Sequence, residues 1–258
     1  MTKLFGFVTA GALVMAAASA PALADVLTWG TPNWVEGSPG TVYVSYKGPA
    51  PPAGQTSPTN ENVYAGELNV LDTTTSLTSS VFCTDIFNDA VFPSGDSFTL
   101  SPIPNAAAFT TGNSNMTFSD QQFGQIKALL NGVAATNYIT DSTTSAAVQV
   151  AIWKIENDNP QSLTSYDLSS GDFTATGPSD PAILTDAATL LSDVEGGSPT
   201  WDNTTGTLEE WTVTGGNQDF SFLTVSQNSI GVPEPGSLML LASGLAGFAA
   251  VRRRRGRA

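Results

Sequence analysis

A-A-V-Q-V-A-I-W-K-I, residues 146–155, is the stretch on which the reading of this chain turns. Ala147, Val148, Ala151, Ile152 and Ile155 recur at helical spacing and make a broad apolar stripe. The segment therefore reads as a helix over 146–157, entered through the polar cap cluster at 141–145. Gln149 sits among small and apolar residues, with Trp153 one turn later. A glutamine placed there is odd if the helix merely packs. The plain alternative is a polar residue that hydrogen-bonds a loop.

Working outward, helical periods flank this segment and strand periods lie beyond them. Ser119 and Asp120 can cap a helix over 121–130, with Phe123, Ile126, Leu129 and Leu130 on one face and Asn131-Gly132 as its stop. A third helix is expected over 181–194, with Pro181 in its first position. Before the helices, residues 41–46, 64–71, 80–87 and 96–100 alternate or are rich in β-branched and aromatic side chains, and 48–58 is a Pro/Gly-rich loop. After them, 207–213 and 219–225 read as strands joined by a turn at 214–217. Strands, helices, then strands predict an α+β domain, mainly β: a β-sandwich or barrel-like body with a helical insertion.

Both ends look like processing segments. Lys3, an apolar run over 4–18 and the small-x-small site Ala22-Leu23-Ala24 make a secretory signal peptide at 1–24, cut by signal peptidase so that the mature chain starts at Asp25. At the other end, Pro233-Glu234-Pro235 precedes an apolar run over 238–251 and the cluster Arg252, Arg253, Arg254, Arg255. The run is short for a full span, which takes about 20 residues. The arginines would stay on the cytoplasmic side. These three elements, in this order, resemble the PEP-CTERM sorting signal of exported bacterial proteins. The resemblance implies cutting near the tripeptide by an exosortase-type membrane protease. It also implies a precursor held transiently in the inner membrane by the C-terminal helix, and a mature protein at the cell surface or in the extracellular matrix. Proteins with this signal are linked with exopolysaccharide and biofilm formation. The chain thus divides into a signal peptide (1–24), an exported body (25–226), a spacer (227–231) and a sorting segment (232–258).

Charge and composition narrow what the body does. Six of the nine Lys and Arg lie in the end segments, leaving Lys47, Lys127 and Lys154 against all 23 acidic residues, a net charge of −20. Such a surface repels nucleic acid and anionic lipid. There is no phosphate-cradling loop and no internal repeat. Histidine is absent, so Ser-His-Asp and Cys-His catalysis are excluded and the commonest zinc ligand is missing. No calcium loop of the D-x-D-x-D kind is present, and neither a metal nor a cofactor is expected.

A single cysteine, Cys83, lies in the strand pattern S-V-F-C-T-D-I-F and cannot make an internal disulfide. Cys83 after Phe82, and Gln149 some 66 positions later in V-Q-V-A-I-W, resemble the thioester domain of bacterial surface adhesins. Val148 stands where such domains commonly carry threonine. The resemblance implies a Cys83–Gln149 thioester, formed with loss of ammonia and shielded from water by Phe82 and Trp153. It would acylate an amine or hydroxyl on a surface or polysaccharide target, once per molecule, so no enzyme is expected. Other readings stay open. Cys83 could be a small buried hydrophobe or could join two chains by a disulfide. The same fold could serve as a non-reactive structural or glycan-binding matrix protein. Paired carboxylates from Asp85, Asp89, Glu156 and Asp158 could make a glycoside hydrolase.

Overall fold

The computed structural model describes residues 26–51, 56–84, 86–87, 97–109, 118–158, 166–195, 207–214 and 221–226. The first half is built of β1 (Leu27–Trp34), β2 (Gly40–Tyr46), β3 (Glu61–Ala65), β4 (Leu68–Asp72), β5 (Leu77–Cys83) and β6 (Ser97–Pro102). A 3-10 turn at Ala106–Ala108 leads to α1 (Asp120–Thr136) and α2 (Ser142–Asn157). Then follow β7 (Phe173–Thr176), α3 (Ala182–Glu195), β8 (Thr207–Thr214) and β9 (Ser221–Ser226).

The strands form a six-stranded sheet, β1-β4-β5-β9-β8-β6, and a three-stranded sheet, β3-β2-β7. Every pairing among the described residues is antiparallel. The large sheet curls, because Phe98 from its β6 edge joins a buried cluster with Leu27 of β1, Val70 of β4 and Val81 of β5. The small sheet faces the helices: Val42, Val44, Phe173 and Ala175 enter the main core with residues of α1, α2 and α3. The architecture is mainly β with a helical layer, as expected. The helical part is interrupted, since β7 returns to the small sheet between α2 and α3.

α2 is the centre of the molecule. Every residue from Ser145 to Asn157 is buried. It packs on α1 and α3 on one side and on β2, β3 and β7 on the other. A helix closed in on all sides has no solvent face, so the apolar stripe seen in the sequence understates its burial. Its start is set by a capping box, in which the Asp141 side chain accepts from Thr144 N at 2.8 Å and Thr144 Oγ1 accepts from Asp141 N. That places the first turn at Ser142, four residues before the apolar run. α1 starts with a second capping box, between Ser119 and Gln122.

Several expectations are corrected. α1 runs through Asn131-Gly132 to Thr136 and ends on Asn137 in the left-handed conformation (φ 50°). Both stop residues are buried in the helix layer, so packing overrides the local stop signal. Residues 64–71 are two strands rather than one, divided at Gly66, and β5 ends at Cys83 instead of running to 87. β1 and β7 were not anticipated: β1 contains Gly30 and Pro32, and β7 is four residues long. The expected processing segments at 1–24 and 227–258, and most of the turn at 214–217, lie outside the described residues. Among the described residues no helix is long and apolar enough to cross a membrane.

Gly66 joins β3 to β4 at φ +147°, a conformation L side chains rarely adopt. A Cβ there would also lie 3.2 Å from Ser145 Oγ, which accepts from Glu67 N at 2.7 Å. Gly66→Ala is therefore expected to lower stability by about 1–3 kcal/mol, read as a lower urea midpoint at unchanged slope. An unchanged midpoint would show that this corner can relax.

Candidate functional site

The β4–β5 ladder ends at the pair Leu68 and Val81. Two residues further along β5, a side chain from α2 continues it. Cys83 N donates to Gln149 Oε1 at 3.0 Å, and Gln149 Nε2 donates to the Cys83 carbonyl at 2.7 Å. The glutamine amide thus pairs with the cysteine backbone as a neighbouring strand would. Both residues are buried, Cys83 at 8% and Gln149 at 1% exposure. Cys83 is in no disulfide, and a thiol so enclosed is poorly placed to bridge two chains.

This geometry bears directly on acyl chemistry. The amide carbonyl is held against the residue that carries the thiol, with its oxygen on a backbone N–H. Charge that develops on Oε1 when sulfur attacks would meet a donor already in place. The departing nitrogen is likewise held, by the Cys83 carbonyl. Burial in a low-dielectric core strengthens both interactions.

A cavity of about 440 Å³ opens beside the pair. Cys83, Gln149 and Trp153 lie on its wall with Trp29, Trp34 and Tyr64. Two of these aromatics reach it through an irregularity in β1. Trp29 and Trp34 are five residues apart and would face opposite ways in a regular strand. Their partners on β4 are Val70 and Leu68, only two apart, so a bulge takes up the excess and returns both indoles to one side. Tyr64, 67% exposed, stands at the rim with its ring 6.3 Å from that of Trp34. Ile86 and Phe87, which follow β5, add to the apolar wall with Val44, Val63 and Leu68.

The expected site residues fall into place unequally. Cys83 and Gln149 meet, and Trp153 is on the cavity wall. Phe82 is not. It follows Val81 and precedes Cys83, so it points to the opposite face of β5 and packs in the main core. Trp29, Trp34 and Phe87, which sequence reasoning did not select, line the cavity instead. Period-two alternation along β5 was the signal that places Phe82 on the face opposite Cys83. Among the expected carboxylates, Asp85 and Asp89 lie outside the described residues. Glu156 and Asp158 are buried but line no part of the cavity.

Asp158 serves a different purpose. Its Oδ2 lies 2.6 Å from Lys154 Nζ, and its Oδ1 accepts from Phe173 N at 2.9 Å. Burial pushes its carboxyl upward from the ordinary aspartate range, against the Lys154 and Phe173 hydrogen bonds that pull it down. Lys154 Nζ also donates to the carbonyls of Ser170 at 2.6 Å and Phe173 at 2.8 Å. Gln122 of α1 donates to the carbonyls of Ile155, Glu156 and Asp158, closing the C-terminal end of α2. This network ties α2 to α1 and to β7. It fixes the helix that presents Gln149.

Glu67 is flanked by Gly66 and Leu68, both of which line the cavity. Its carboxyl is raised to about 7, first by burial and then by the Glu36 charge, against a hydrogen bond from Ser80. A carboxyl raised on folding binds its proton more tightly in the native state. Its contribution is therefore most favourable below the unfolded value and is lost as pH rises through about 7. Glu67→Gln is expected to raise the melting temperature at pH 8 and to leave it nearly unchanged at pH 4, by on the order of 2 kcal/mol at the higher pH. An equal effect at both pH values would contradict this origin.

The sequence at the C-terminus gives the class of protein. Residues 231–255 match the PEP-CTERM protein-sorting motif. The chain is accordingly an exported protein with a C-terminal sorting signal for an exosortase-type system. No curated protein matches the chain by sequence. Among solved structures it is similar to the N-terminal thioester domain of a surface protein from Clostridium perfringens, at 9% identity and TM-score 0.38, covering 73% of this chain and 99% of that one. An alanine-for-cysteine variant of a Clostridium perfringens thioester domain matches at 10% identity and TM-score 0.38, over 62% of this chain and 88% of that one. A pilus-presented adhesin matches at 12% identity and TM-score 0.40, over 74% of this chain, which spans about half (48%) of the adhesin's length.

Proposed function

We propose that this protein is a covalent anchoring module of the cell surface or extracellular matrix, in which Cys83 and Gln149 condense to an internal thioester. The observation that carries the reading is the reciprocal hydrogen bonding of the Gln149 amide with the Cys83 backbone. In the condensation, Sγ bonds to the Gln149 side-chain carbonyl carbon and the C–Nε2 bond breaks. The thiol proton leaves with the nitrogen as ammonia. An incoming nucleophile later takes the acyl group, and its proton passes to the Cys83 sulfur. Positioning supplies most of the rate for such an intramolecular attack. The buried, aromatic surroundings restrict the access of water to the stored bond. Each molecule reacts once, so the protein is a tether rather than an enzyme. Exosortase-type processing near Pro233–Pro235 would follow transient retention in the inner membrane.

The test is labelling with a biotinylated primary amine of protein purified after export. The account expects a stoichiometric, boiling-resistant adduct on Gln149 and one newly titratable thiol. Absence of an adduct on folded protein with an intact Gln149 side chain would refute it.

A further inference from the structure

The cavity beside Cys83 and Gln149 has a chemical character of its own. It is walled by the indoles of Trp29 and Trp34 and rimmed by exposed Tyr64 and Glu61. Trp153 is 4% exposed and lies on the wall, and among the described residues its Nε1 has no hydrogen-bond acceptor. A buried indole N–H without a partner is costly, and it can only donate. Any partner it takes must offer a lone pair. A protonated amine offers none, whereas a sugar hydroxyl or ring oxygen does. The flat indole faces suit the apolar C–H face of a pyranose, and the rim carboxylate can accept from its hydroxyls. The volume, about 440 Å³, falls in the range of small-molecule sites, roughly 300–1,000 Å³.

We propose that this cavity is a sugar subsite, which seats a pyranose unit of a polysaccharide with Trp153 Nε1 donating to one of its oxygens. The proposal rests on the thioester reading only for its consequence. With the thioester formed, a hydroxyl of the seated sugar attacks the Gln149 carbonyl carbon. The bond to Cys83 Sγ breaks, the hydroxyl proton passes to sulfur, and an ester links protein to glycan. The acceptor is then a carbohydrate hydroxyl rather than an amine.

The experiment titrates the exported protein and its Cys83→Ala variant with cellobiose, maltose and lactose. Binding is read by tryptophan fluorescence and saturation-transfer NMR, with n-butylamine as comparator. At least one disaccharide is expected to saturate both proteins below about 10 mM. Trp34→Ala should weaken that binding about tenfold. Trp153→Phe, which keeps the ring and removes the N–H, should weaken it about threefold to tenfold with the melting temperature held. Because Cys83→Ala cannot form a thioester, its binding reports on the subsite alone. Sugar binding to Cys83→Ala, with no acyl donor in the parent protein, would refute the proposed function and leave the subsite standing. No saturation by any of the three sugars, preference for butylamine, or full affinity in Trp153→Phe would overturn the subsite.

Discussion

Lys154→Ala is expected to destabilise the protein by about 3–5 kcal/mol, the usual effect of removing one partner from a buried ion pair. Lys154 is fully buried, and its ammonium holds Asp158 Oδ2 at 2.6 Å together with the carbonyls of Ser170 and Phe173. Its loss strands a carboxylate that burial already pushes toward protonation. The deficit should therefore shrink as pH falls through the carboxylate range, because a neutral Asp158 no longer needs the ammonium. Lys154→Met with Asp158→Asn should recover part of the loss, since neither partner is then charged. Urea unfolding at pH 7 and pH 4 measures all of this. A loss below about 1 kcal/mol at pH 7 would mean that the pair is exposed in solution.

The second large effect separates structure from chemistry at the site. Gln149→Ala removes both hydrogen bonds to the Cys83 backbone in one change. Leaving buried backbone groups short of partners costs about 1–3 kcal/mol each, so a loss of roughly 2–6 kcal/mol is expected for the two. The same variant cannot form an acyl bond. Cys83→Ser retains the backbone pairing and should stay within about 1 kcal/mol of the parent while losing all amine labelling. Calorimetric unfolding and the amine-labelling assay, run on both variants, give the comparison. If Gln149→Ala melted like Cys83→Ser, the amide pairing would not be a structural contact.

The two residues on which these arguments turn were legible in the sequence because each broke its local pattern. Gln149 interrupted an apolar run, and Cys83 was the only cysteine of an exported chain. Their meeting was not legible from pattern alone. It depends on the β4–β5 ladder ending at Leu68, which leaves the Cys83 backbone open to a side chain from α2. Helix starts at Ser119 and Asp141 were readable through their polar caps, while the stop at Asn131-Gly132 misled because tertiary burial outweighs a local signal. The cavity was invisible for a different reason. Its indoles share a side only through the β1 bulge, and a bulge changes which residues face inward without altering composition. Composition counts Lys154 only as one of three cations left to the body, and its burial follows from Asp158 four residues on and from the carbonyls that β7 and its approach supply.

The central claim is that Cys83 and Gln149 join. Intact-mass analysis of protein purified after export, with its ends assigned by peptide mapping, tests it most directly. The account predicts a mass one ammonia below that encoded between those ends, a linked peptide pair carrying Cys83 and Gln149, and gain of one methylamine on mild alkaline treatment. The full encoded mass, with one titratable thiol in the denatured protein and an unmodified Gln149, would contradict it.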